Sequence, residues 1–321
     1  MDALSEVLRA VHLTGGVFLH AEFSAPWCIA SRLAPEDCAP MLGPASHLML
    51  YHYVVEGELH VGVEGHDRFV LNAGEVVLLP RNNLHLLGSD LDQTPVPSHD
   101  IIQPAPQGGL YSIRHGGGGA RTRLVCGFLG CDRADDNPVL SALPAALRLD
   151  IEEGGAAEWM RSTFQYAAEE VAAGRPGSAT VLAKLSELLF VECVRRYAQT
   201  LPEDQTGWLA GLRDPYVARA LASLHREMTR DWTVEELGRE VGLSRSALAE
   251  RFTHLIGMAP IQYLAKWRMQ VAAQHLRNSG ASLLEIANTV GYESEAAFSR
   301  AFKKAFGTAP ATWRRTQRGT G

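Results

Sequence analysis

Hydrophobic positions along the chain change their period near the middle. Up to about Arg133 they form short alternating or continuous runs broken by turn residues. One run covers 47–55, His-Leu-Met-Leu-Tyr-His-Tyr-Val-Val, and stops at Glu56-Gly57-Glu58. A second covers 59–63. A third, Arg68-Phe69-Val70-Leu71, meets the turn residues 72–75 and gives way to Val76-Val77-Leu78-Leu79-Pro80. Turn signals about ten residues apart predict a small antiparallel barrel or jelly roll. Residues 88–119 are Pro/Gly-rich and end in four glycines, which reads as a long mobile loop, with 121–129 as the closing strand.

From residue 158 the spacing becomes helical. Segments 158–173 and 179–198 carry apolar residues three and four apart, separated by Gly174-Arg175-Pro176-Gly177. Leu182, Leu185, Leu188, Leu189 and Val191 form an apolar stripe on the second, suited to a homodimer contact or to packing on the barrel. A polar linker at 202–214 follows.

The last hundred residues contain one pattern twice. Val241-Gly242-Leu243-Ser244 leads through Phe252 and Gly257 to Pro260. Val290-Gly291-Tyr292-Glu293-Ser294 leads through Phe302 and Gly307 to Pro310. Each copy predicts a helix, a tight Gly turn and a second helix opened by a Ser N-cap, which is a helix-turn-helix. Thr233-Val234-Glu235-Glu236 is a capping box at the start of the first copy. Leu248, Phe252 and Leu255 are expected to be buried in one copy, and Ile286, Val290, Phe298, Phe302 and Phe306 in the other. Between them, 261–277 is a single helical pattern of about 25 Å at ~1.5 Å per residue. Such a rod can hold two recognition helices about one DNA turn (~34 Å) apart.

Charge adds to this picture. The chain carries −6 overall, but from Arg213 onward the balance is +6 and before it −12. A basic C-terminal part on an acidic body is the footprint of a module that meets phosphate. No apolar run approaches the ~20 residues that span a bilayer, and the acidic start lacks a secretory pattern, so the expected location is cytoplasmic. Five irregularly spaced cysteines, Cys28, Cys38, Cys126, Cys131 and Cys193, fit reduced thiols better than a disulfide framework.

Residues 214–315 resemble the C-terminal domain of the AraC/XylS family of transcription regulators. Ile286-Ala287-Asn288-Thr289-Val290-Gly291-Tyr292, Phe298-Ser299-Arg300-Ala301-Phe302-Lys303-Lys304 and Phe306-Gly307-Thr308-Ala309-Pro310 carry the likeness. The resemblance implies base-proximal positions at Ser246, Ala249 and Glu250 in the first unit and at Glu295, Ala296, Ser299 and Arg300 in the second. Arg300 is the candidate for a bidentate guanine contact, and Glu250 can accept from cytosine N4. Many members carry a large polar or basic residue where this chain has Ser246, Ala249 and Glu250. Arg245, Arg251, Lys303 and Lys304 are phosphate contacts or solvated charges.

In the N-terminal half, 74–80 (Gly-Glu-Val-Val-Leu-Leu-Pro) followed by His85 is similar to the second cupin motif, with Asn82 where cupins often have Gly. A Zn or Fe site needs at least three convergent ligands. Only His52 and His85 present themselves, so they are assigned to an effector pocket and no metal or cofactor is expected. The half resembles the cupin-type sensor of a subgroup that includes reactive-chlorine-responsive regulators, in which a cysteine is oxidised. That places Cys126 as a redox candidate, provided its thiol is exposed and acidic.

The expected class is α+β with two domains. Residues 1–140 form a cupin-like sensor, 141–212 a helical connector or dimerisation segment, and 213–318 a DNA-binding domain with two helix-turn-helix units. The expected partners are promoter DNA, RNA polymerase, a small-molecule or oxidant effector and a second copy of the chain. The competing class is a cupin metalloenzyme with an accessory DNA-binding tail.

Overall fold

The computed structural model describes residues 2–11, 13–34, 47–103, 111–131, 137–150, 155–173, 175 and 177–318. Cys38 and two residues of the expected breaker, Gly174 and Pro176, lie outside the described residues. Contacts divide the chain into two compact units. One gathers 1–11, 136–142 and 198–321; the other gathers 12–135 and 143–197. The chain therefore is β-rich in its N-terminal region and helical at its C-terminal end, as the sequence pattern predicts. The contact division does not follow chain order, however: two short N-terminal segments group with the C-terminal helices, and the expected connector helices group with the strands.

The β-rich unit is built from two sheets. Strands β1 (Thr14–Ser24), β3 (His47–Glu56), β6 (Glu75–Leu79), β9 (Ile102–Gln103), β10 (Ser112–Gly116), β11 (Arg121–Cys131) and β12 (Leu147–Asp150) make a seven-stranded sheet ordered β12-β6-β3-β11-β1-β10-β9. Strands β2 (Cys28–Ser31), β4 (Glu58–Val63), β5 (Phe69–Asn72), β7 (His85–Gly88) and β8 (Val96–Pro97) make a second sheet ordered β5-β4-β7-β2-β8. Most pairs are antiparallel, but β1–β10 and β2–β8 are parallel.

The turn at Gly57 passes the chain from one sheet to the other, since β3 pairs with β6 and β11 while β4 pairs with β5 and β7. Gly57 has φ +83°, and a Cβ there would lie 2.3 Å from the Arg121 carbonyl oxygen. Only glycine meets both conditions.

Two expectations for this half are corrected. The strand expected to close the barrel, β11, is central, running between β3 and β1. The expected loop at 88–119 contains β8, a 3₁₀ turn at Ser98–Asp100, β9 and β10; residues 104–110 lie outside the described set. β8 and β9 have two residues each and leave no period to detect, and β10 ends in the glycine run, so the Pro/Gly content dominated the reading.

Strand β3 is buried on both faces. Leu50 and Val54 join the apolar core between the sheets. Tyr51 and Tyr53 point the other way, to helix α3 (Gly155–Ala173), where Tyr53 stacks on Phe164 at 4.2 Å. The Tyr51 hydroxyl is 2.9 Å from Ser186 Oγ on α4 (Ser178–Thr200). Tyr51 lies across Gly127 of β11, where a Cβ would meet its hydroxyl at 2.1 Å. The leucines of α4 do not form one stripe: Leu182 and Leu189 are buried, Leu185 and Val191 half-buried, and Leu188 is 52% exposed.

The helical unit contains α1 (Ala3–Val11), α2 (Pro138–Ala142), α5 (Trp208–Gly211), α6 (Pro215–Arg226), α7 (Val234–Val241), α8 (Arg245–Ile256), α9 (Pro260–Asn278), α10 (Leu283–Thr289), α11 (Glu295–Phe306) and α12 (Pro310–Arg318). α1 packs on α6 with Ala3 and Val7 buried, and α2 packs on α1 and α5. Among the described residues no helix is long and apolar enough to cross a membrane.

Candidate effector cavity and nucleic-acid interface

Both helix-turn-helix units are set by their caps. Thr233 Oγ1 accepts from the Glu236 amide at 3.1 Å while Glu236 accepts from the Thr233 amide at 2.9 Å, the expected capping box. Ser282 and Glu285 repeat that exchange at α10, a second box that the spacing S-x-x-E could have revealed. Ser244 and Ser294 cap α8 and α11 by accepting from Ala247 and Ala297, each at 3.2 Å. Each such cap contributes about 0.5–2 kcal/mol. Gly242 and Gly291 occupy the left-handed region at φ +84° and +80°.

The predicted faces of α8 and α11 are presented outward. Arg245, Ser246, Glu250, Arg251, Glu295, Ala296, Arg300, Lys303 and Lys304 are exposed, and Ala249 and Ser299 are half-buried. Leu248, Phe252, Ile286, Val290, Phe298 and Phe302 are buried as expected. Leu255 and Phe306 are only half-buried, because each lies in the last turn of its helix.

The basic side chains differ in commitment. Arg251 is bonded to Asp214, the N-cap of α6, and lies over the Tyr216 ring at 5.3 Å. Arg268 on α9 donates to the Met228 carbonyl at 2.6 Å and to the Arg230 carbonyl at 2.9 Å. Arg314 donates to the Ala281 carbonyl at 2.6 Å. Part of the C-terminal positive charge therefore holds backbone rather than facing a partner. Arg300, Lys303 and Lys304 form no ion pair among the described residues, unlike Arg226, Arg230, Arg239 and Arg251.

Thr229 sits against the turn of the second unit. A Cβ on Gly291 would lie 2.8 Å from the Thr229 Cα and 3.2 Å from the Arg268 guanidinium carbon. The loop between α6 and α7 is thus seated on the second reading head through Arg268.

In the β-rich unit a cavity of about 250 Å³ opens between the sheets. Its wall is mostly apolar, with Leu19, Phe23, Ile29, Leu50, Ile113 and Phe128 prominent, and His52, His99, Ser31, Ser98, Tyr111 and Cys126 supply polar points. His52 lines it; His85 stands behind, with the two Nε2 atoms 3.0 Å apart. His85 Nδ1 is 2.9 Å from the Asn83 carbonyl. Burial holds His52 well below the ordinary imidazole range, with His85 adding to the effect. Burial also lowers His85 to about 4 against the opposing pull of that carbonyl.

Asn82 takes φ +50°, a left-handed conformation that Asn tolerates and that cupins often fill with Gly. Its amide bonds both the amide and the carbonyl of Leu33, tying the end of β2 to the turn that delivers His85. Leu19, Ala21, Phe23, Ser31 and Ser98 were missed as cavity residues. The alternation in 17–23 was the available signal.

Among the described residues no three His, Cys, Asp or Glu side chains come together as metal ligands. His52 and His85 therefore do not fit a Zn or Fe centre, which needs a third group. Cys126 also departs from expectation. A redox thiol must be exposed and acidic; Cys126 is 8% exposed, and burial pushes its thiol far above the ordinary range. It lies opposite His52 in the β11–β3 register, on the cavity side.

Similarity to known proteins bears on both halves. Residues 2–199 match the family described as Cupin, and residues 237–316 match the one described as Helix-turn-helix domain. The chain is 33% identical over 319 residues to a putative AraC-like transcription regulator of Streptomyces lividans, covering 98% of each. It is 28% identical to the HTH-type transcriptional regulator AlkR of Acinetobacter baylyi, covering 98% of this chain and 99% of that one. The RCS-specific HTH-type transcriptional activator RclR of Escherichia coli is 25% identical, with 98% of this chain and 97% of that one covered.

Proposed function

Because the chain belongs to the AraC-like transcription regulators with an N-terminal cupin domain, we propose that a small molecule seated in the barrel cavity governs how its two helix-turn-helix units act at promoters. DNA binding through the helix-turn-helix domain follows from the family. Relatives matched along the whole chain are transcription regulators and not enzymes, which removes the metalloenzyme alternative. The part played by the cavity is the further step.

The observation that carries it is a cavity of about 250 Å³ with a mostly apolar wall, set beside a packed core. Interiors pack at near-crystal density, so a void of this size is a place for a ligand. Burial of Cys126 favours a ligand over an oxidant acting at that thiol as the signal. In this reading Ser246, Ala249, Glu250, Glu295, Ala296, Ser299 and Arg300 approach bases, while Arg245, Lys303 and Lys304 meet phosphates. Arg251 braces α8 on α6. Exposed Leu188 and Val181 on α4 supply a homodimer face, and RNA polymerase is the second protein partner.

Genome-wide footprinting of the full chain and of Ala21→Leu, which narrows the cavity, tests the proposal. Shared sites with a signal response lost only in the variant support it. An Ala21→Leu chain that folds and still responds fully would sink control through the cavity.

A further inference from the structure

The two recognition helices are copies offset by 50 positions. α8 and α11 each have 12 residues and open on a Ser cap that accepts from an Ala amide at 3.2 Å. Each ends at a left-handed glycine, Gly257 or Gly307. Leu248 and Phe298 fill one buried position, and Phe252 and Phe302 another. The outward positions are therefore equivalent too: 246 with 296, 249 with 299 and 250 with 300, spaced three and four apart on one face. Exposure agrees, since Ala249 and Ser299 are both half-buried and the other four are exposed.

Charge does not follow the repeat. Glu250 stands where the second helix has Arg300. One turn further on, Thr253 and His254 stand where the second helix has Lys303 and Lys304. At the first helical position the signs are exchanged, Arg245 against Glu295. Arg251, the other cation of α8, is bonded to Asp214. The remaining Lys, Arg and Glu side chains of both helices take no partner among the described residues. On α8 these are Arg245 and Glu250, which cancel; on α11 they are three cations and one carboxylate, a balance of +2. Over the whole units, 233–257 and 282–307, the balances are −1 and 0, so the contrast lies in the recognition faces.

Duplex DNA carries a phosphate charge about every 1.7 Å of its axis, so an unspent cation gains on any sequence. A carboxylate at the same place is repelled unless a base edge donates to it, and cytosine N4 is its match in the major groove. We propose that the heads divide the work. The second holds duplex DNA of any sequence, mainly through Lys303 and Lys304. The first settles where a cytosine amino group meets Glu250, which selects by exclusion. The inference rests on the reading that α8 and α11 turn these faces to DNA.

Fluorescence anisotropy of the full-length chain tests this on two duplexes: the sequence it enriches from a random library, and a scramble of that sequence. Glu250→Gln keeps the size and removes the charge. It should bind the scramble several-fold tighter, and the preference for the enriched duplex should shrink by about fivefold or more, as for one lost base contact. Enrichment repeated with this variant should lose one cytosine. Lys303→Ala combined with Lys304→Ala should weaken both duplexes alike, keep their ratio and lower the salt slope by about two. Thr253→Lys gives the first head the second's charge, and should tighten both duplexes and steepen the slope by about one. All four side chains are exposed, and thermal melts matching the parent verify that each variant folds.

Unchanged affinity of Glu250→Gln for the scramble, or an equal loss on both duplexes, overturns the exclusion rule. An unchanged slope in either lysine experiment overturns the anchor. Both failures leave DNA binding by the two units standing. If the parent chain shows no salt-sensitive affinity for either duplex, the reading of these faces as DNA contacts fails, and the inference fails with it.

Discussion

His225 Nε2 and Tyr263 Oη lie 2.8 Å apart, buried between α6 and α9. Trp208 Nε1–H donates to the same phenol oxygen at 2.8 Å, so the tyrosine hydrogen is free to point at His225. The imidazole is therefore kept as a neutral acceptor, stacked on Trp267 at 4.4 Å.

That arrangement predicts acid sensitivity of the helical unit. Burial lowers His225 to about 4, with the Ala3 backbone of α1 pulling the other way. The unfolded chain takes up this proton below about pH 6.5, while the folded one resists until about 4. Stability is then complete above 6.5 and falls as the pH drops through 4, by about 3 kcal/mol at most. Urea unfolding near pH 7 and near pH 5 should show the loss. His225→Gln, which keeps the acceptor and cannot titrate, should flatten it; an unchanged slope would remove His225 as the cause.

Arg300 and Lys303 are predicted to fail differently. Arg300→Ala should cost about 1–3 kcal/mol on the cognate site and relax preference at one base pair. Lys303→Ala should weaken all sequences alike and lower the salt slope by about one. Fluorescence anisotropy at several salt concentrations, with site selection, separates the two. Uniform loss for Arg300→Ala would make it a phosphate clamp.

Arg251 is predicted to serve folding. Its partner Asp214 caps α6, accepting from Tyr216 and Val217 at 2.9 and 3.0 Å. Arg251→Ala should lower stability by up to about 1 kcal/mol and leave the salt dependence of DNA binding unchanged. Thermal melts and binding isotherms check both halves of that statement.

Cys126 should be inert. A buried thiol with a raised pKa reacts slowly, since the thiolate is the nucleophile. A disulfide reagent should label Cys126 only as fast as the chain opens, and Cys126→Ala should leave any oxidant response of a reporter as it was. Rapid labelling of the folded chain would return the thiol to candidacy.

The helical unit was legible because its signals are local. Ser244, Ser294, Gly242 and Gly291 do their work within four residues, and a cap reads the same in sequence as in structure. The barrel depends on remote pairing. Leu19 and Cys126 sit side by side in the β1–β11 register although more than a hundred positions separate them, and no window along the chain reports that. His52 and His85 were identified together, but not their order: His52 lines the cavity and His85 stands behind it. The pairing of Arg251 with Asp214 was not legible either, because a guanidinium that braces a helix cap and one that stands free look alike in sequence.

Thr229 rests on Gly291 and Arg268 grips the Met228 and Arg230 carbonyls, so the loop that leads into the first head is fastened to the second. Operator geometry inherits that stiffness. We expect two boxes on one side of the duplex at a set interval, so that an insertion of about five base pairs, half of the ~10.5 in a turn, rotates one of them out of reach. On that expectation a target site carries a phase as well as a sequence.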